Sequence, residues 1–451
     1  MKQVITLIAF IGLTLACTAQ NHWMDLPNNG FHKGYGITDS SYRLEDIYFT
    51  DTSTGFAVTL TGRLLKTTNG GYSWTIKNDT SAANYTGFRS IEFLDNGQYG
   101  LAGSLGSAPK TLRTTDGGET WTNISTNIPD TTTSANSTRN ICGIAHYGNT
   151  FYCVGSWGSR TGKFYKSIDK GVTWQTTYLD SNLIKGVVDV VFLSQDTGFI
   201  SGCRNKESVV LKTVDGGINW TKVFGDTTIG GRIWKLQSLT KNILYGSIEP
   251  YFVLDTVNMI YSYDGGNHWS IIHIGYALPK VGGYGTQGVG FATAAKGWVG
   301  GYYDGIFETL DSGKTWTHVM FGYDFNRIFV VDSNHVFAGG HMPYKYGSWM
   351  PNTSSIKTQK GYSKPPHDLY PVSPNPTNGK LKIEFDLKSN TNVVLQVIGI
   401  DSRSIYPITN AYMQAGHKTY YWDGNNAPDG NYIIWLGTNE IPIVQKFVLH
   451  K

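Results

Sequence analysis

Six copies of one octapeptide restrict this chain more than any other feature. They are Thr67-Thr68-Asn69-Gly70-Gly71-Tyr72-Ser73-Trp74, then 114–121, 167–174, 213–220, 262–269 and 309–316, all of the form Ser/Thr-x-Asp/Asn-x-Gly-x-x-Trp. The Trp-to-Trp spacings are 47, 53, 46, 49 and 47 residues, and six of the chain's 13 Trp stand on this position. Self-similarity at such a period marks a repeat architecture.

The octapeptide has the chemistry of a hairpin turn. The side chain at its third position (Asn69, Asp116, Asp169, Asp215, Asp264, Asp311) can accept bonds from backbone N–H groups just ahead of it, and the Gly takes a positive φ. The Ser or Thr hydroxyl adds a local bond, and the Trp opens an outgoing strand with a large face to bury. Two strands precede the one that enters each turn, as in Asp46-Ile47-Tyr48-Phe49, Gly55-Phe56-Ala57-Val58 and Leu64-Leu65-Lys66-Thr67. Each unit is then a four-stranded antiparallel sheet, and units that cannot bury both faces alone pack radially into a β-propeller. Composition agrees. Charged residues are 16% of 451, below the usual quarter, while 54 are Gly and 14% aromatic, which suits short strands and tight turns rather than disorder or helical bundles.

The expected fold is all-β, with a seven-bladed propeller over 20–363. The mean repeat of about 48 residues fits this span seven times. The seventh blade has no octapeptide. Its inner strands are expected at Asn326 to Val331 and His335 to Gly339, its third at Ser355 to Gln359, with Asn21-His22-Trp23-Met24 as the outer strand that closes the ring.

Residues 1–19 have the basic start, apolar run (Val4 to Ala16) and small-residue end of a secretory signal peptide. No later stretch is apolar for the length of a membrane-spanning helix, so an exported protein without a transmembrane segment is expected. Leu15-Ala16-Cys17 also has part of a lipobox, with Thr14 where such boxes favour Leu. Cys142, Cys153 and Cys203 remain after cleavage; Cys142 and Cys153 sit on two arms of a hairpin, either bridged or simply buried as small apolar groups. There is no Cys-x-x-Cys and the His are scattered, so no metal or cofactor is expected. With 37 basic against 33 acidic residues, the net charge of +4 makes neither nucleic acid nor an anionic membrane an obvious partner. Residues 364–369 form a stiff polar linker, and from Tyr370 short strands recur as in a small Ig-like β-sandwich over 370–451.

This tail resembles the type A sorting domain of the type IX secretion system of Bacteroidetes. The resemblance rests on Pro374 to Gly379 (Pro-Asn-Pro-Thr-x-Gly), Ala415-Gly416-His417 before Trp422-Asp423, Asp429-Gly430-Asn431-Tyr432, and Gln445-Lys446-Phe447-Val448-Leu449. It departs at Asp401-Ser402-Arg403, where the family has Gly before the basic residue. The resemblance implies contact with the type IX machinery, passage to the cell surface or beyond, and removal of the tail. The octapeptides match the Asp box, and their surroundings resemble the BNR-repeat propellers, both those similar to the photosystem II assembly factor and the wider sialidase-like group.

Asp boxes are fold devices. A sialidase needs three Arg on a substrate carboxylate, a Tyr–Glu nucleophile pair and an Asp acid, and the Phe-Arg-Ile-Pro motif of that group is missing here, so no catalytic residue is assigned. Aligning the innermost strands puts Glu45, Arg89, Cys142, Val188, Arg232 and Gln287 at one equivalent position, with Arg327 there or nearby. Arg89, Arg232 and Arg327 with Glu45 are therefore candidates for an axial anion site, the alternative being channel-wall Arg in solvent. Tyr284 and Tyr302, from a Tyr-dense stretch, are candidates for stacking on sugars, the alternative being packing between sheets. The expected function is a secreted or surface-held binding or adhesion module for an extracellular glycan or protein; a sialidase-like glycoside hydrolase is the alternative.

Overall fold

The computed structural model describes residues 22–26, 43–79, 87–106, 111–129, 140–156, 161–251, 256–276, 285–347, 367–399, 405–438 and 443–451. Seven four-stranded antiparallel sheets follow one another, the first six with their strands in chain order from inside to outside. Blade 1 consists of Leu44–Phe49, Gly55–Thr59, Arg63–Thr67 and Thr75–Asp79. The inner strands of blades 2 to 7 are Gly87–Phe93, Gly143–Tyr147, Gly186–Phe192, Gly231–Ser238, Thr286–Phe291 and Arg327–Asp332. Each packs against the next, and that of blade 7 against that of blade 1, so the ring is closed.

Closure is made by the N-terminal strand, as expected. His22–Asp25 is the fourth strand of blade 7, whose other strands are Arg327–Asp332, His335–Gly339 and Pro343–Gly347. Trp23 packs edge-on against Trp298, Phe325 and Tyr346. The third strand of this blade is a correction: it follows its hairpin at once, at Pro343–Gly347, and the expected Ser355 to Gln359 lies outside the described residues. Pro-Tyr-Lys-Tyr-Gly lacks the octapeptide that marks third strands elsewhere, which hid it.

All six octapeptides make one turn. In the second, Asp116 Oδ1 accepts the N–H groups of Glu119 and Thr120 and the Thr114 hydroxyl, at 3.1, 3.0 and 2.7 Å. Hydrogen bonds from Thr120 and Thr114 hold the Asp116 carboxyl down at about 2. The fourth residue is also left-handed, even where it is Lys170 (φ 60°) or Ser312 (φ 67°). Its N–H bonds the first hairpin of its own blade in every copy, for example Gly70 N to Ser53 O at 2.7 Å and Lys170 N to Asn149 O at 3.2 Å.

The turn also staples neighbouring blades. In blades 1 to 4 the basic residue just before the octapeptide reaches the fourth-residue carbonyl of the next blade's turn: Lys66 to Gly117 (2.7 Å), Arg113 to Lys170 (2.8 Å), Lys166 to Gly216 (3.0 Å) and Lys212 to Gly265 (2.9 Å). Blade 6 faces blade 7, which has no such turn. There Glu308 replaces the basic residue and accepts from Trp298 Nε1 and Tyr346 Oη at 3.1 and 3.3 Å. The Gly of the motif is doubly required. At Gly217 φ is +93°, and a Cβ would lie 2.3 Å from the Phe164 ring of blade 3.

Trp23–Gly347 forms one compact unit. The tail has a core of its own, built from Leu381, Ile383, Phe385, Leu395, Val397, Trp422, Ile434, Leu436 and Phe447 between two sheets. One sheet has the order Asp368–Leu369, Lys380–Leu387, Gly416–Asp423; the other, Ile405–Met413, Thr391–Gly399, Gly430–Gly437, Ile443–Leu449. Alternation along Lys380–Leu387 puts every second side chain into this core, as in a sandwich. Cys142, Cys153 and Cys203 are free and buried; Ile144, not Cys142, stands opposite Cys153 in the hairpin, so the bridge is not formed.

Candidate ligand-binding site on the ring axis

The inner strands start at one end of the ring, the mouth, and five of them carry an extra residue or two early in the strand. In blades 1, 2, 4 and 6 the register skips Glu45, Arg89, Val188 and Gln287, the mark of a β-bulge. These four share one level, as expected. In blade 5 the skip falls on Trp234 and Lys235, two and three residues beyond Arg232. In blade 7 the residue just before Arg327 donates to Gly339 O, as Cys142 donates to Val154 O in blade 3, so Asn326 occupies the bulge level. The expected three-Arg ring is thus spread over three levels along the axis.

At the bulge level Trp234 closes the middle. Its Nε1 donates to Asn326 Oδ1 at 3.0 Å, the Arg89 guanidinium lies 5.6 Å from its ring centre, and it packs on Leu105, Cys142 and Val188. These partners come from blades 7, 2, 3 and 4, and a blade 5 side chain meets all of them only at the axis. Glu45 is 1% exposed. Its Oε1 accepts Arg43 Nε at 2.8 Å, and its Oε2 accepts Arg89 Nη1 and Asn326 Nδ2. Burial opposes charge there, but Arg43 and Arg89 pull the Glu45 carboxyl down to about 2.

On the mouth side lie Arg43, Asp324, Arg232 and Glu249. Arg43 Nη1 donates to Gln287 Oε1 at 3.0 Å and approaches Asp324 at 3.4 Å. Glu249 accepts Gln287 Nε2 at 2.8 Å and Arg232 Nη1 at 3.3 Å. Burial raises the Glu249 carboxyl above its usual range despite Arg232 and Gln287. The Arg232 side chain is 41% exposed, against 15% for Arg89 and 19% for Arg327. One level beyond Trp234, Arg327 spans the axis between Asp46 at 3.3 Å and Asp189 at 3.7 Å.

Each expected arginine therefore has a carboxylate: Arg89 Glu45, Arg232 Glu249, Arg327 Asp46 and Asp189. Sequence reasoning missed Arg43, Trp234, Glu249, Asp324 and Asn326. Arg43 stands two residues before Glu45 and Asn326 just before Arg327, and the second Glu of the constellation, Glu249, lies on the second strand of its blade. Of the aromatic candidates, Tyr302 is half-buried with its N–H bonded to Gly285 O at 2.8 Å, and Tyr284 lies outside the described residues. Tyr245 and Tyr303, in the same stretch, are core residues. Among the described residues no group of three or more His, Cys, Asp or Glu could hold a metal ion.

Residues 371–450 match the sequence model of the Secretion system C-terminal sorting domain. The tail is a type IX sorting domain. It directs the protein to the cell surface or beyond. Residues 36–139, across blades 1 and 2, match the Photosynthesis system II assembly factor YCF48 family, and the repeat region is a BNR-type propeller similar to it. YCF48 bound to D1 peptide superimposes with a TM-score of 0.52 at 18% identity, over 73% of this chain and 97% of that one. YCF48 from Cyanidioschyzon merolae gives 0.51 at 20%, over 73% and 99%. The GH74 xyloglucanase from Xanthomonas campestris gives 0.51 at 11%, over 94% of this chain and 75% of that one. At these identities the likeness shows the fold alone. No curated protein matches the chain significantly. Among the described residues no helix is long and apolar enough to cross a membrane.

Proposed function

We propose that the propeller is a binding module for an extracellular protein segment, exported with a signal peptide at 1–19 and a sorting tail at 370–451, and that the ligand docks at the mouth of the ring. The observation that carries this reading is an asymmetry of connections. At the far end every link is a tight hairpin or an octapeptide. At the mouth the links between described strands are unequal, from two residues (205–206) to 19 (124–142), and Arg43, Arg232 and Glu249 stand at that end of their strands. Unequal loops on a rigid ring are where recognition is built. A protein segment is favoured over a glycan because YCF48, of the same fold, is described bound to a peptide.

Arg232 is the guanidinium best able to take a ligand carboxylate or carbonyl. Arg89 and Arg327 are held in buried pairs, and removing their partners costs more than a ligand bond returns. The hydrolase alternative is weakened at the carboxylates: both oxygens of Glu45 and both of Glu249 are engaged by Arg, Asn or Gln. The test is to screen the mature protein on peptide and glycan arrays and to repeat any hit with Arg232→Gln. A peptide hit weakened by about tenfold or more is expected, the effect of losing one charged hydrogen bond. Binding to glycans alone, or an undiminished peptide hit, would send the reading elsewhere.

A further inference from the structure

The face opposite the mouth is not uniform. At the second octapeptide position blades 1 and 2 carry Thr68 and Thr115, whereas blades 3 to 6 carry Ile168, Val214, Tyr263 and Leu310. Their exposures are 69, 69, 48 and 67%. At the sixth position Val172 and Ile218 add tips that are 52 and 74% exposed. Single exposed hydrophobic residues need no explanation, but four successive blades with an aliphatic or Tyr on the same turn position do. The turn does not require them, since Thr serves in blades 1 and 2. In all of them the seventh-residue N–H bonds the third-residue side chain, as at Asn69 with Ser73 N and at Asp215 with Asn219 N, both 2.9 Å.

Equivalent positions on successive blades lie at one end of the ring, so the tips follow an arc along its rim. We propose that this arc inserts into a lipid surface and holds the ring mouth-outward on it. Three observations select lipid over a protein partner. Each tip is followed at once in the chain by Asp169, Asp215, Asp264 or Asp311, hydrogen-bonded within its own turn, so the apolar positions are separate points each beside a carboxylate. A protein interface needs a continuous desolvated centre of several hundred Å², roughly 800 Å² per partner in all, whereas fluid lipid closes around each tip separately. The tips are aliphatic with one Tyr, a composition that suits the headgroup–acyl boundary, while protein hot spots favour Trp, Tyr and Arg. The sorting tail brings the chain to where a lipid surface is present.

The full chain is tested by flotation with phosphatidylcholine–phosphatidylethanolamine vesicles, against the variant Ile168→Thr, Val214→Thr, Ile218→Asn, Leu310→Thr. Each replacement occurs at the same octapeptide position in another blade (Thr68, Thr115, Asn267), so the variant folds, which circular dichroism checks. The native chain is expected to float, with little effect of added salt, and the variant to partition at least about tenfold less. A native chain that stays in the soluble fraction overturns the proposal, as does a variant that floats equally. Concentration-dependent dimerisation that the variant abolishes, without vesicle binding, would instead make the arc a contact between copies and likewise overturn it. Peptide binding at Arg232 is a separate readout and is unaffected by any of these results.

Discussion

The two ends of the ring are built by opposite rules. At the octapeptide end six turns repeat one hydrogen-bond pattern, each contact lies within a turn or between adjacent blades, and the residues that differ between copies leave the turn unchanged. At the mouth and along the axis nothing repeats: Arg43 from the segment before blade 1 meets Gln287 of blade 6 and Asp324 before blade 7, and Trp234 of blade 5 meets blades 2, 3, 4 and 7. Repetition makes the scaffold, and the departures from it make the site. The difference predicts unequal responses to mutation.

The largest effect is expected on the axis. Glu45→Ala leaves Arg43 and Arg89 facing one another without their shared carboxylate, and a loss of about 3 to 5 kcal/mol in chemical denaturation is expected, as for breaking one side of a buried ion pair. A loss below about 1 kcal/mol would mean that the axis is as forgiving as a surface. Trp23→Ala tests ring closure on a similar scale. It removes a residue 4% exposed from the blade 7 aromatic cluster, with about 3 to 5 kcal/mol expected.

At the octapeptide end the response should depend on contact between blades. Gly217→Ala meets both a left-handed backbone and the Phe164 ring, so about 1 to 3 kcal/mol is expected. Gly148→Ala also meets a positive φ (+58°), in a hairpin with nothing within 4 Å of the new Cβ, and a smaller loss, about 1 kcal/mol, is expected. Equal losses at the two sites would show that backbone strain alone governs this end.

His146 joins blades 2 and 3, with Nδ1 2.8 Å from Glu92 and Nε2 2.8 Å from Asp95. Burial works against its charge, but the two carboxylates raise its pKa to about 9. A folded-state pKa above the unfolded one stabilises fully below about 6.5, and that contribution fades as pH rises through about 9. Melting temperature should therefore fall between pH 7 and 10 more in the native protein than in His146→Gln; parallel curves would remove His146 from the account. The smallest effect on folding is expected for Arg232→Gln, within about 1 kcal/mol, because the Arg232 end of its pair is 41% exposed to solvent and the buried Glu249 keeps Gln287 as a partner. Arg327→Gln should cost distinctly more, since it strands Asp46 and Asp189, whose burial is nearly complete.

Much of this was legible in the repeats. The octapeptides dictate their own turns, since Asp or Asn, Gly and Ser or Thr at fixed offsets satisfy bonds within eight residues, and the period gives the number of blades. Ring closure was legible too, because a blade with three strands at one end of the chain needs a fourth from the other. The axial level of Arg232 was not. A bulge adds a residue without leaving a mark in the side-chain pattern, and the inner strand of blade 5 places Trp234 where counting from its start places Arg232. The third strand of blade 7 escaped for a related reason, as it lacks the one motif that identified the others.

What the sequence determined by itself was therefore whatever is local or periodic: the turns, the blades, their number, the sandwich tail and the route of export that its motifs imply. What tertiary structure alone decided was which charges meet. Arg43 and Asp324 are 281 positions apart, as are Asn326 and Glu45, and both pairs exist because closing a ring brings strands from opposite ends of the chain to one axis. Electrostatic pairing depends on distance through space and on exclusion of water, and neither is set until the last blade has closed.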